Sequence, residues 1–367
     1  MVSDPSNPPE FAEARVRQAR DHLAAGEWAA ALSASEASVA AFRELACTSP
    51  SFRPGLALAL MCLADSHSEL GSHEDAVSAA YEAVEFRRDL ARAQPATFRF
   101  DLAKALARLA RFRADVGQVE DALRDFEVAT THFRELAAAH PEVYAHDLAA
   151  VLTSVARCRH VLGEDPIALV QADEAVAIYR RRTTHETDAR LGGLAVALNT
   201  RAAILHGLDR GEEGLKSSTE SVRLARPLAA REPIVWGPRL ANMLALLATG
   251  QFRTDRRWKA IPTYEEAIAR FRELAAQRPA YRAELAGMLS HLGFLLAHLH
   301  VHAPALESFE ESVAIYGELE RSAVRALEPA FAATALTHYA EMLEEFGRKD
   351  EARRSRELAQ RIALPGT

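Results

Sequence analysis

The chain has 367 residues, of which 49% are hydrophobic, 26% charged and 7% aromatic, with a formal net charge of −7. Such a composition is that of a folded, soluble chain and excludes collagen-like or disordered ones. The acidic balance also lacks the surplus of Lys and Arg that neutralising phosphates requires, which argues against a nucleic-acid partner.

The first residues, with Pro5, Pro8 and Pro9, read as a loose tail over residues 1–9 and lack the apolar run of a signal peptide. From residue 10 to about residue 363 the apolar period is helical, with no strand alternation. A first helix is expected from about Glu10 to Ala25, ending on Gly26. The same punctuation recurs at Gly71, Gly117, Gly163, Asp209, Asp255, His300 and Gly347, in steps of 45 to 47 residues. Gly and Asp suit a helix end that turns through positive φ. A second ruler agrees. Phe42-Arg43-Glu44-Leu45-Ala46 is copied at Phe133–Ala137 and Phe271–Ala275, and with one inserted residue at Phe86–Ala91. These runs precede Pro50, Pro141, Pro279 and Pro95, and Pro233 closes a weaker copy. The repeating unit is about 46 residues and fits eight times.

Small residues hold fixed places around the turns. Seven residues before them stand Ala19, Ala64, Ala110, Ala156, Ala202, Ala248, Gly293 and Ala340. Five residues after them stand Ala31, Ala76, Ala122, Ala168, Gly214, Ala260, Ala305 and Ala352, and the site twelve after is always Ala or Ser. Two antiparallel helices need small side chains where their backbones come closest. Leucines eleven residues before the turns, from Leu60 to Leu336, supply the adjoining bulk.

The pattern breaks in the fourth unit. Residues 180–193 lack the proline signature and read as a polar, loop-like stretch, either a hinge or a degenerate linker. Nearby, Arg201 replaces the Leu or Val of most other units, and it must either find a partner or snorkel to the surface. The last helix is polar outside around Ala352, Leu358, Ala359 and Ile362, as a terminal repeat requires, so the array is expected to be complete, with 364–367 as a short exit.

Catalytic and metal motifs fail on inspection. Gly211–Ser217 has the wrong spacing for a phosphate loop, and Ala189 stands where a zinc-protease pattern starting at His185-Glu186 needs a second His. His298 and His302 have metal-ligand spacing, but the turn at His300 falls between them. Neither a metal nor a cofactor is expected. Cys47, Cys62 and Cys158 share no metal or redox spacing and fit a reducing compartment, hence a cytoplasmic protein; no stretch of 18 apolar residues suggests a membrane span. The Ala-, Arg- and Leu-rich usage suggests a GC-rich bacterial genome.

Eightfold small-residue spacing with closing prolines resembles the tetratricopeptide repeat, in a long-helix variant whose unit exceeds the usual 34 or so residues. The resemblance implies an all-α fold: a right-handed α-solenoid of about eight antiparallel helix pairs. It also implies that the leading helix of each pair lines a concave groove. Ten, six and three residues before the turns, with one further turn of helix, the groove candidates are Lys104, Arg111, Thr153, Arg157, His160, Asn199, His206, Asn242, Phe252 and Phe294. Arg111 and Arg157, equivalent and one unit apart, either fork a carboxylate or phosphate together or are solvated charges paired with neighbours such as Asp115 or Asp65. The implied function is a non-enzymatic scaffold or adaptor that binds a protein or peptide segment. One rival is a regulatory sensor for a small ligand or nucleotide. The lesser rival is an enzyme using His160, His206 or the His298 cluster. A one-sided groove leaves the oligomeric state open.

Overall fold

The computed structural model describes residues 7–181, 188–321 and 329–363. Among the described residues there are sixteen α-helices and no strand. The chain divides into two units, Met1–Thr184 and His185–Thr367.

The first unit contains α1 (Pro8–Ala25), α2 (Trp28–Thr48), α3 (Arg53–Glu69), α4 (His73–Ala93), α5 (Pro95–Asp115), α6 (Val119–Ala139), α7 (Pro141–Val161) and α8 (Asp165–Arg180). The second contains α9 (Asp188–Gly207), α10 (Gly211–Arg231), α11 (Pro233–Arg253), α12 (Arg257–Gln277), α13 (Arg282–His298), α14 (His302–Arg321), α15 (Pro329–Glu345) and α16 (Lys349–Ala363). Odd-numbered helices lead and even-numbered helices trail, and each leading helix packs along its trailing partner. Successive leading helices also approach one another, at α1–α3 and α5–α7 in the first unit and at α9–α11 and α13–α15 in the second. Close approach between trailing helices occurs at α14–α16. Within each unit the leading helices therefore crowd the inner side, the arrangement of an α-solenoid.

The turns explain the period. All eight turn residues have positive φ: the five glycines between 76° and 82°, Asp209 at 56°, Asp255 at 60° and His300 at 59°. Behind each, the next N–H reaches back to a carbonyl five residues earlier, from Glu27 to His22 at 2.9 Å in the first pair to Arg348 to Leu343 at 2.8 Å in the last. This is the Schellman closure, which satisfies the orphan carbonyls of the leading helix and reverses the chain at once. Each trailing helix thus starts two residues past the turn. Eight of the helices are 21 residues long, α5 and α6 among them, so a pair and its joints fill the 46-residue unit.

The closing prolines begin the next element. Pro95, Pro141 and Pro233 open α5, α7 and α11, while Pro50 and Pro279 open short 3₁₀ turns before α3 and α13. The missing N–H costs nothing in a first helical turn. Pro8 and Pro9 do the same for α1, so that helix starts before Glu10 and only residues 1–6 of the expected tail lie outside the described residues. In the interval 180–193, residues 182–187 lie outside the described residues, as does the 364–367 exit. Asp188–Gly193 is not loop-like; it forms the first turns of α9.

The small residues sit where the helices meet. Seven residues before the turns, all seven alanines are 0% exposed. At the glycine in that column, Gly293, an added Cβ would stand 3.0 Å from the Phe309 ring. The leucine column is equally buried, from Leu60 at 1% to Leu336 at 1%. Phe42, Phe133 and Phe271 of the recurrent run enter the core, at 4%, 1% and 0% exposure.

A left-handed backbone costs a side chain about 1–2 kcal/mol, which glycine escapes and Asp partly offsets by local hydrogen bonding. Asp209 also accepts a hydrogen bond from Arg253 at 2.8 Å. Among the described residues no ion pair of this kind is present at His300, whose ring meets that of His302 edge-on. Thermal unfolding is therefore expected to show His300→Gly more stable than wild type by about 1 kcal/mol, and Gly117→Val less stable by a similar or larger amount. A stability loss in His300→Gly contradicts the turn assignment.

Candidate functional site

In the first unit, three leading helices converge on a cleft of about 310 Å³. Helix α3 contributes Asp65, α5 contributes Arg108 and Arg111, and α7 contributes Ser154 and Arg157, with Phe126 and Val151 among the apolar lining. Arg108 is ion-paired with Asp65, and Arg111 lies 3.6 Å from the other oxygen of the same carboxylate. The Arg111 guanidinium also lies 4.8 Å over the Phe112 ring, which stiffens it. Arg157 is exposed, and among the described residues no ion pair or hydrogen bond restrains its guanidinium.

Charge in this cleft is unbalanced: three guanidinium groups line it with one carboxylate, which pairs with Arg108 and Arg111 and not with Arg157. The crowding is visible in Arg108, whose pKa falls to about 10 because burial, and then the neighbouring Arg111, disfavour its charge. Asp115, at the end of α5, moves the other way, since burial raises it more than Arg111, Arg157 and His73 lower it. The cleft therefore offers forked donors to an anion, with Arg157 the donor that no internal acid occupies.

The other candidates divide into those that face outward and those that do not. Lys104 is exposed and stands 5.3 Å from the Phe100 ring on α5. Thr153 is 7% exposed and its hydroxyl donates to the Ala149 carbonyl at 2.8 Å, as a helical threonine in a dry setting does. The His160 ring lies 2.5 Å from the Asp165 carboxylate, which ties the end of α7 to the start of α8. His22 and Glu27 make the same clasp between α1 and α2.

In the second unit, Asn242 is exposed and Asn199 is half-buried. Phe252 on α11 and Phe294 on α13 meet edge-on with ring centres 6.1 Å apart. His298 stacks on Phe294 at 5.3 Å and His338 of α15 approaches it at 5.1 Å, so these rings form one half-exposed aromatic patch. His298 ends α13 and His302 starts α14, so the two do not share a helix. Arg201 neither snorkels free nor lies unpaired, because it donates to the Ser217 hydroxyl at 2.7 Å.

His206 is not on the groove surface. It is 4% exposed, wedged between α10 and α11, where a Cβ on Gly214 would stand 2.7 Å from its ring and a Cβ on Gly250 would do the same. Two glycines have made room for one imidazole. Arg108 completes the cleft but falls outside the expected residue set, whereas Asp65 stands six residues before its turn, in the column of Arg111 and Arg157. Nine residues before the turn, Arg108 shares a column with Arg17, Cys62, Ser154, Thr200, Leu246, His291 and His338; the mostly polar character of that column is the signal that finds it.

No family model matches the sequence, and no curated protein matches it. Solved structures do. The apo quorum sensor NprR from B. thuringiensis is 13% identical with a TM-score of 0.64, covering 97% of this chain and 88% of that one. The Rap conjugation regulator of plasmid pLS20, in complex with the Phr* peptide, is 12% identical with a TM-score of 0.52, covering 87% and 79%. A signal transduction ATPase from Pyrococcus horikoshii with a tetratricopeptide repeat sensor is 16% identical with a TM-score of 0.54, covering 97% and 53%. The chain thus has the all-α fold of tetratricopeptide-type repeat proteins. Among the described residues, no helix is long and apolar enough to cross a membrane.

The buried His206 sets an acid limit. Burial first, and Arg253 second, hold its pKa below the usual histidine value. In the unfolded chain it takes up a proton near pH 6.5, roughly the model-peptide value. The native state resists protonation until lower pH, so stability is full above about pH 6.5 and declines as pH falls towards the lowered native value. His291, pushed down to about 4 by burial, acts in the same direction. Melting wild type and His206→Leu at about pH 7.5 and about pH 5 is expected to show a smaller acid-induced loss in the variant; equal losses contradict the assignment.

Proposed function

We propose that this chain is a non-enzymatic binding scaffold that holds a segment of a protein or peptide against its leading helices. The observation that carries the proposal is the cleft of Asp65, Arg108, Arg111 and Arg157, a preformed, cationic site open to solvent on the inner side of a solenoid. Stacked helix pairs supply such extended surfaces without a deep, water-excluding pocket. A carboxylate on the bound segment meets Arg157 and Arg111 as a charge-assisted fork. Lys104 on α5 adds basic character along the same helix, and Asn199, Asn242, Phe252 and Phe294 are contacts for amide and apolar groups in the second unit. The likeness to a regulator bound to the Phr* peptide supports a peptide ligand. The free thiols of Cys47, Cys62 and Cys158 suit work in the cytoplasm.

A second reading keeps the cleft and changes the ligand. As a regulatory sensor, the chain takes a small anionic molecule there; the quorum sensor and the repeat sensor among the similar structures favour it.

Binding selected from a displayed random-peptide library distinguishes them. For peptides so recovered, Arg157→Glu is expected to weaken binding at least about tenfold, equivalent to about 1.4 kcal/mol, with little change in melting temperature, since among the described residues its guanidinium makes no hydrogen bond or ion pair. Raising salt is expected to weaken the wild-type complex as well. Peptides that bind the variant and wild type equally remove this cleft from the site. Recovery of no peptide, with compaction in scattering profiles on adding a small-molecule cell extract, favours the sensor.

A further inference from the structure

One ion pair recurs on the trailing-helix face. In the first unit Arg43 donates to Glu82 at 2.6 Å and Arg134 to Glu174 at 2.8 Å. In the second, Arg226 donates to Glu266 at 2.6 Å and Arg272 to Glu311 at 3.1 Å. Each arginine stands seventeen residues after its own turn residue, and each glutamate eleven after the next one. Arg43, Arg134 and Arg272 are the second residues of the recurrent Phe-Arg-Glu-Leu-Ala run, and Arg226 holds the same place in Ala225-Arg226-Pro227-Leu228-Ala229. Each pair bridges neighbouring trailing helices above the leading helix that lies between them.

Between α4 and α6 this bridge keeps its arginine and has lost its acid. Arg88 holds the seventeenth place, but the eleventh is Val128, which is 45% exposed. Arg88 turns back to Glu85 on its own helix at 3.1 Å, a weak, solvent-screened pair. At the last junction, α14 to α16, both partners are absent, Gly317 and Leu358 standing there instead, so no charge is left without its bridge. The core under α4 departs as well. Where Phe42, Phe133 and Phe271 fill their units, Arg87 stands one residue out of step with Phe86 and donates to the Asp101 carbonyl at 2.9 Å.

The result is a cleft of about 330 Å³ whose lining includes Leu102, Leu106, Val128, Arg88, Arg99 and His132. Leu102 and Leu106 are buried, at 7% and 0% exposure, and give it an apolar floor. Arg99 pairs with Glu135 at 2.6 Å, whereas Nδ1 of His132 has no partner among the described residues. This cleft is separate from the inner one. Leu106 and Arg108 are both on α5, but two residues apart they point about 160° away from one another.

We propose that the cleft between α4 and α6 docks an acidic–aliphatic segment of a protein partner. Its glutamate takes the place that Glu82, Glu174, Glu266 and Glu311 take at the other junctions, and an adjacent aliphatic side chain covers Leu102, Leu106 and Val128. The four internal bridges are the template for the missing one: they show which acid this arginine binds, and from which direction. A carboxylate without an apolar neighbour leaves the floor wet, and an apolar group without a carboxylate leaves Arg88 with Glu85.

The test uses the full chain with methyl-labelled valine and leucine, titrated with Ac-Leu-Glu-Leu-NH2 and, separately, with Ac-Leu-Gln-Leu-NH2. The Val128 methyl resonances are expected to shift saturably with the glutamate peptide and at least about fivefold more weakly with the glutamine peptide. Val128→Glu rebuilds the bridge from within, so it is expected to abolish the response, followed on the Leu102 and Leu106 methyls, while melting no lower than wild type. Arg88→Gln is the second variant and is expected to erase the difference between the two peptides. Arg157→Glu, in the inner cleft, is expected to leave the titration unchanged. No saturable shift up to about 10 mM peptide, equal binding of the two peptides by wild type, or full binding by Val128→Glu overturns the proposal.

Discussion

Two helices can lie with their backbones nearly touching only if the side chains between them are no larger than a methyl or hydroxymethyl group, and this constraint governs the protein. Alanines seven residues before the turn and alanines five after it are fully buried, at 0% exposure. Inserting even one methylene into such packing typically costs about 1–3 kcal/mol. The left-handed turn between the two sites is the other half of the same constraint. It returns the chain within two residues, so the small positions of the leading and trailing helices face each other in register.

Because the pairing is settled by three small columns and one turn residue, the remaining surface of each helix is free to differ from unit to unit. The inner face of the first unit uses that freedom to gather three arginines around a single aspartate. The trailing face uses it to lay arginine–glutamate bridges between neighbours, each built from two half-exposed side chains. Such pairs add little to stability singly. Their value is positional: they define what a complete junction looks like, and so make the junction at Val128 recognisable as open. His206 shows the converse case, where a residue in a variable column turned inward and two glycines, Gly214 and Gly250, yielded the space.

Much of the fold was legible because it is periodic. The eight turn residues, the small columns and the leucine column each repeat at one spacing, and a repeated spacing can be read without knowing a single contact. The inner-face candidates were legible only in part. Lys104, Arg111 and Arg157 are exposed, and Phe252 and Phe294 do meet, although they stand three and six residues before their turns. Thr153, His160 and His206 occupy the same columns, yet they are satisfied or enclosed by partners at Ala149, Asp165, Gly214 and Gly250. Those partners sit on other turns of the helix or on other helices, and a column of positions carries no information about them.

What the amino-acid sequence alone determined is the class of structure: the all-helical character, the 46-residue unit, the position of each bend and the residues that let the rods nest. These follow from backbone conformation and side-chain size, which are properties of single residues at regular intervals. Tertiary structure alone decided which charges share a cleft, that Arg108 joins Arg111 at Asp65, that equivalent arginines and glutamates bridge neighbouring trailing helices, and that His206 is interior. Those outcomes depend on side-chain direction and on distances between residues some 40 positions apart, as in the pair of Arg134 and Glu174. Close packing fixes such distances, and no local pattern encodes them.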